Sequence, residues 1–300
     1  MNKTKFVLLF CVFLFVDLQS QNSKIVLIGD TQRTLWFELF REDNEYIRQL
    51  IFPKISSEKP SSLIILGDLT NWGASESEWK YFDTITKSIK NSKIPIFPLF
   101  GNHDYFVNNK IALNNMRKRF EFFEKNTWYS KEINSIGFVF LNSNLQELTN
   151  DERISQKYFL DSLLKSFESN LNIHNVICCW HHPIYTNSKV VDDEQDTKEE
   201  FLPIISQYLK VKMIASGHCH SYEHFKIDGI HFLVSGGAGG PRQKVWIGNN
   251  ARHKDLFDGN ELRNFHYCLL EEVNFKLKVS IIAYNNETKT WSKIDSWDVD

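Results

Sequence analysis

Apolar and polar positions alternate along this chain in a way that predicts strands and helices in turn. Lys24–Ile28 is a short apolar run that stops at Gly29-Asp30, and Glu42–Ser57 carries apolar residues at helical spacing. The same sequence of strand, stop and helix recurs at Ser62–Leu66 with Gly67-Asp68, followed by Ser75–Lys90. There Ser75 offers a helix cap, with Glu78 at the capping-box spacing. Ile94–Phe100 reads as a strand ending in Gly101-Asn102-His103-Asp104, with a helix over Lys110–Lys125. Trp128–Ile133 and Gly137–Leu141 read as strands paired across Asn134-Ser135.

Farther on, Asp151–Ser169 is helical and Asn175–Trp180 is a strand ending in His181-His182-Pro183. A helix over Lys198–Leu209 leads to the strand Lys212–Ala215, which ends in Gly217-His218-Cys219-His220. Strands then dominate, at Tyr222–Ile227, Ile230–Ser235, Tyr267–Val273, Lys276–Tyr284 and Thr290–Trp297. Alternation of strand and helix predicts parallel βαβ units, and the later hairpins predict a second, more antiparallel sheet. Asn187–Glu200 and Asn249–Asn264 are polar and predict surface loops next to motif strands.

Composition adds bounds. With 42% hydrophobic and 24% charged residues, the chain can bury a sizeable core. A net charge of −2 gives no electrostatic case for binding nucleic acid. Lys3 and Lys5 followed by the uncharged apolar run Phe6–Val16 read as an export signal, with processing after Ser20. The run falls short of the roughly 20 apolar residues that span a bilayer. Residues 1–20 are therefore expected to be a signal peptide and residues 21–300 one domain, periplasmic or secreted, without a transmembrane helix in the mature chain. Cys178, Cys179, Cys219 and Cys268 lack the spacing of a disulfide scaffold and are expected to be buried thiols.

The chemistry lies at the strand ends. Asp30, Asp68, Asn102, His181, and His218 with His220 are all metal-ligand types, and each follows an apolar run. In α/β sheets, ligands bind beyond the carboxyl ends of strands, so these residues can meet in one crevice. A mixed carboxylate and imidazole set suits zinc, manganese or iron better than calcium. Two such ions can clamp a phosphoryl group and activate water.

Gly-Asp-x-Gln, Gly-Asp-Leu, Gly-Asn-His-Asp, His-His-Pro and Gly-His-x-His, in this order from about residue 24 to 285, resemble the calcineurin-like metallophosphoesterase superfamily. The resemblance implies a four-layer αββα sandwich, two mixed β-sheets flanked by helices. It implies two divalent or mixed-valence ions (Mn, Fe or Zn) and hydrolysis of a small phosphorylated substrate by in-line attack of a metal-bridging hydroxide. By position, Asp30 and His220 would hold the first ion, Asp68 would bridge, and Asn102, His181 and His218 would hold the second. His103 matches the catalytic histidine, which Asp104 would orient.

This sequence departs from common family patterns twice. Gln32 stands where many members have His, as a further ligand or a contact to metal-bound water. Asn71 stands where purple acid phosphatases, otherwise similar around Gly217–Glu223, have a ligand tyrosine. Without that phenolate no purple charge-transfer band is expected. Arg33, Asn71 and His182 are the candidate substrate contacts, and Gly236–Gly240 a candidate source of backbone amides. A phosphodiesterase or pyrophosphatase on the same centre, and a metal-stabilised binding protein without catalysis, are the alternative functions.

Overall fold

β1 (Lys24–Ile28) is the middle of a frame that explains why the motif residues meet. It pairs in parallel with β2 (Ser62–Ile65), which pairs in parallel with β3 (Ile96–Pro98). On its other side β1 pairs antiparallel with β10 (His266–Val273), followed by β11 (Lys276–Asn285) and β12 (Thr290–Val299). The second six-stranded sheet runs β4-β5-β6-β7-β9-β8. Within it β5 (Ile136–Phe140), β6 (Asn175–Cys179) and β7 (Val211–Ser216) are parallel neighbours. β4 (Tyr129–Ile133), β8 (Tyr222–Ile227) and β9 (Ile230–Ser235) complete it. This computed structural model describes residues 24–34 and 42–300, so the expected signal peptide lies outside the described residues.

Side-chain alternation along the strands sorts the core into layers. Ile177 and Cys179 of β6 face the other sheet, in a cluster shared with Ile25, Leu27 and Leu63. Val176, Cys178 and Trp180 face outward, against Leu160, Leu164, Phe201 and Ile205 of α5 (Asn150–Ser169) and α6 (Gln195–Ile205). The adjacent cysteines therefore point to opposite faces. All four described cysteines are buried free thiols. Helices α1 (Glu45–Ser57), α2 (Glu76–Ile85) and α3 (Lys87–Asn91) cover the first sheet through Phe52, Trp79 and Ile89. The result is two mixed sheets flanked by helices, as the resemblance implied. Burying each of these large side chains contributes about 1.5–3 kcal/mol.

Three departures from the sequence pattern have a clear local cause. The helix expected over Ser75–Lys90 breaks at Thr86, whose hydroxyl turns back onto the carbonyl of Phe82 at 2.7 Å. Ser75 does cap it, but Glu78 does not complete a capping box. The Ser75 amide already donates to the carbonyl of Trp72, and the buried Glu78 carboxylate pairs with Arg33. The helix expected over Lys110–Lys125 is α4 (Asn109–Arg119); Phe120 turns extended and packs against the core. Finally, α6 starts at Gln195 rather than Lys198, because Thr197, Phe201 and Ile205 recur every fourth residue and give the polar stretch a buried stripe.

Candidate active site

Parallel strand ends from both sheets open onto the same edge of the sandwich. β1 delivers Asp30, β2 Asp68 and β3 Asn102; β6 delivers His181 and β7 His218 and His220. The chain turns so sharply at Asp30, Asp68 and His218 that their φ angles are 61°, 52° and 68°. Non-glycine residues tolerate this left-handed conformation only at a cost of about 1–2 kcal/mol each. The turn folds each carboxylate back onto a neighbouring strand end. Both oxygens of Asp30 accept from the amide of His218, at 3.0 and 2.9 Å. Asp68 Oδ1 accepts from the amide of His103 at 2.9 Å. This close approach requires glycine at 217, where a Cβ would lie 2.7 Å from Asp30 Oδ2 and from the carbonyl of Leu66.

The histidine rings are aimed by backbone carbonyls. His181 Nδ1 lies 2.8 Å from the carbonyl of Leu66, and His220 Nδ1 2.8 Å from that of Pro241. Each Nδ1–H therefore donates outward and each Nε2 faces the cluster. His181 Nε2 is 3.5 Å from Asp68, and His220 Nε2 is 3.5 Å from Asp30. His181 Nε2 is also 3.1 Å from Asn102 Oδ1 and 3.2 Å from His218 Nδ1. Ligand-type atoms of Asp30, Asp68 and His181 lie within 4.8 Å of one another, as do those of His181, His182 and His218.

Burial sets the electrostatics. It raises the Asp30 carboxyl above the ordinary carboxylate range despite His220. It would raise Asp68 too, but facing His181 and His103 hold that carboxyl below its usual range. Burial depresses His181, yet Asp68 more than offsets this and lifts it to about 9. His218 is pushed well down by burial and by His181 beside it.

Gln32 bears directly on whether metal ions fit here. Its amide is buried, with Nε2 at 3.2 Å from Asp68 Oδ2 and 3.1 Å from His220 Nε2, while Oε1 has no partner among the described residues. A half-turn of the amide would turn Oε1 toward the same Asp68 and His220 atoms. An unpaired oxygen beside two buried carboxylates and outward-anchored imidazoles fits the donor set that a hard-to-borderline metal ion would take.

His103 lies at the accessible rim. Its side chain is 26% exposed, and its Nε2 is 3.9 Å from Asp68 Oδ2. The expected pairing with Asp104 does not form. Asp104 is fully buried and accepts from the amides of Leu69 (3.0 Å), Thr70 (3.2 Å) and Gly101 (3.0 Å), bracing the Asp68 turn against the Asn102 turn. The short 3-10 turn His103–Tyr105 sends the two side chains in different directions. His103 Nδ1 instead lies 3.2 Å from the carbonyl of Asn71.

The remaining candidates have protein partners. Arg33 pairs with Glu78, and the buried Asn71 amide donates to the carbonyl of Arg33. His182 Nδ1 lies 2.8 Å from Ser143 Oγ, with its pKa pushed down by burial to about 3. The amides of Gly236, Ala238 and Gly240 donate to Ser221, Gly29 and Asp30 carbonyls, so this segment braces the first motif. The two polar segments expected near the site are pinned together: Asn187 exchanges side-chain hydrogen bonds of 2.9 Å with the backbone of His253.

Sequence reasoning passed over a further strand end, where β5 runs into Asn142-Ser143-Asn144. Ser143 Oγ accepts from the amides of His181 (3.2 Å) and His182 (3.0 Å) and so positions the His-His step. The signal was available: a polar run closes an apolar strand, as at the other five ends.

Comparison with known proteins agrees with this architecture. A family model described as calcineurin-like phosphoesterase matches residues 23–222. A 3',5'-cyclic-nucleotide phosphodiesterase of Nostoc sp. is 26% identical over 176 residues, which is 58% of this chain and 60% of that protein. The chain thus aligns with under two thirds of that relative's length. Among solved structures, GAP50, the anchor in the inner membrane complex of Plasmodium, superposes with a TM-score of 0.69 at 16% identity, over 91% of this chain and 89% of that one. Purple acid phosphatase PPD1 from yellow lupin seeds superposes with a TM-score of 0.66 at 17% identity, over 92% and 53%. With a family model covering most of the chain and the motif residues in order at the strand ends, this protein belongs to the calcineurin-like phosphoesterase family.

Proposed function

We propose that this protein hydrolyses organic phosphate monoesters at a dinuclear metal centre. The observation that carries the proposal is the convergence of Asp30, Asp68, Asn102, His181, His218 and His220 at one edge, with the unmatched Gln32 oxygen among them. Asp30, His220 and Gln32 would hold one ion, and Asn102, His181 and His218 the other, with Asp68 between. Such ions supply positive charge for the phosphoryl oxygens and lower the pKa of water.

The chain's own contribution follows from its hydrogen bonds. Carbonyls of Leu66 and Pro241 lock the tautomers that turn Nε2 of His181 and His220 inward. His103 keeps Nδ1–H on the carbonyl of Asn71, which leaves Nε2, 3.9 Å from the Asp68 carboxylate, as the ring atom that would carry a proton into the site. That proton is placed to pass to the leaving oxygen as the phosphorus–oxygen bond breaks. Phosphodiester hydrolysis is the second reading, favoured by the Nostoc relative. The apolar run Phe6–Val16 supports an exported protein.

Initial rates on 4-nitrophenyl phosphate and bis(4-nitrophenyl) phosphate, with His103→Ala as control, test both readings. Faster monoester turnover that depends on His103 is expected. No hydrolysis of either ester by protein carrying two ions per chain would instead leave a metal-stabilised binding protein.

A further inference from the structure

Beside His103 the rim of the site is apolar, although it faces water. Phe106 is 42% exposed and Val107 80% exposed. The Phe106 ring lies 4.5 Å from the His103 ring, inclined at 45°. In contrast Gln32, Asn71 and His182 are buried. Val107 has a φ of 82°, a conformation that β-branched residues avoid. Strain of this kind, with the side chain left in solvent, is kept where a neighbouring group must be presented.

The loop is fixed at both ends. The amide of Phe106 donates to the carbonyl of His103 (3.1 Å), and Phe106's own carbonyl accepts from Ala74 (3.4 Å). Gly73, whose amide donates to the same His103 carbonyl, is held in turn by Trp79 Nε1 (2.7 Å) and Asn115 Nδ2 (3.1 Å). Past the strained residue, the Asn108 side chain caps α4 at 3.0 Å. The aromatic ring is thus presented beside His103 before any substrate arrives.

We propose that Phe106 and Val107 form the subsite for the leaving group, so that the protein prefers esters of aromatic or otherwise apolar alcohols. This rests on the reading of His103 as proton donor to the leaving oxygen. The charged phosphoryl group belongs with the ions and the buried polar cluster. The carbon skeleton attached to the oxygen nearest His103 then lies against the ring that touches His103. An aromatic group gains both apolar contact and ring geometry there.

Direct binding tests this apart from turnover. Calorimetry on the metal-loaded protein would compare methylphosphonate with phenylphosphonate, two non-hydrolysable ligands that differ in the apolar group. About tenfold tighter binding of the phenyl compound is expected, the size of effect one apolar contact region gives. Phe106→Ser should remove that preference and leave methylphosphonate binding unchanged, while Phe106→Tyr should keep it. Equal affinities in the unmodified protein, or a preference that survives Phe106→Ser, would overturn the subsite alone. Equal weakening of both ligands by Phe106→Ser would also overturn it, since Phe106 would then only support His103. Failure of both ligands to bind would sink the phosphoesterase reading and the subsite with it.

Discussion

The ring of His103 is aimed by the main chain, its Nδ1 lying 3.2 Å from the carbonyl oxygen of Asn71. A backbone acceptor survives changes to the Asn71 side chain. His103→Ala should lower kcat by about 100- to 10,000-fold, the usual contribution of a positioned acid, without loss of bound metal. Asn71→Ala should cost far less. Kinetics paired with metal analysis checks this, and equal losses in the two variants would contradict the assignment.

Asp104 should matter for stability rather than for the proton. Its carboxylate satisfies three buried amides and ties the Asp68 and Asn102 turns together. Asp104→Ala should lower unfolding free energy by about 3 kcal/mol, because buried donors are left unmatched. Urea titration measures it. An unchanged midpoint combined with a loss of rate would place Asp104 in the chemistry after all.

Gln32→Leu should weaken binding of one ion by about 10- to 100-fold, the scale seen when a group supporting a metal is removed. Gln32→Glu should tighten binding by adding charge. Chelator competition distinguishes them; identical affinities for both variants and the parent would show that Gln32 lies off the centre.

Metal uptake should release protons. In the metal-free protein, His181 is raised above its ordinary 6.5 to about 9, so its stabilising contribution is complete below pH 6.5 and is lost as pH rises through about 9. An ion held by His181 would take the place of that proton. Affinity should therefore climb about tenfold per pH unit below 9, and the chelated protein should lose thermal stability across pH 6.5–9 while the loaded protein does not. Melting curves over that range decide the matter; a flat profile for the chelated form would count against it.

Much of this site was legible before the fold. Apolar runs ending in Asp30, Asp68, Asn102, His181 and His218 mark strand ends, because strand length and burial are written into local composition. Ser143 escaped notice because serine and asparagine after a strand are ordinary turn residues. Only the approach of β5 to β6 makes its hydroxyl the acceptor for two histidine amides. Asp104 misled for the opposite reason, since adjacency to His103 suggests a pair that the turn between them prevents.

By itself the sequence determined the alternation of elements, the residue types at five strand ends and the order of the motifs. These depend on short-range periodicity and backbone preference. The tertiary structure decided which atoms face inward: the tautomers of His181 and His220, the folded-back carboxylates of Asp30 and Asp68, the partner of His103 and the orphaned oxygen of Gln32. Each depends on carbonyls and amides brought from distant strands, and no local pattern encodes where those groups will lie once two sheets pack together.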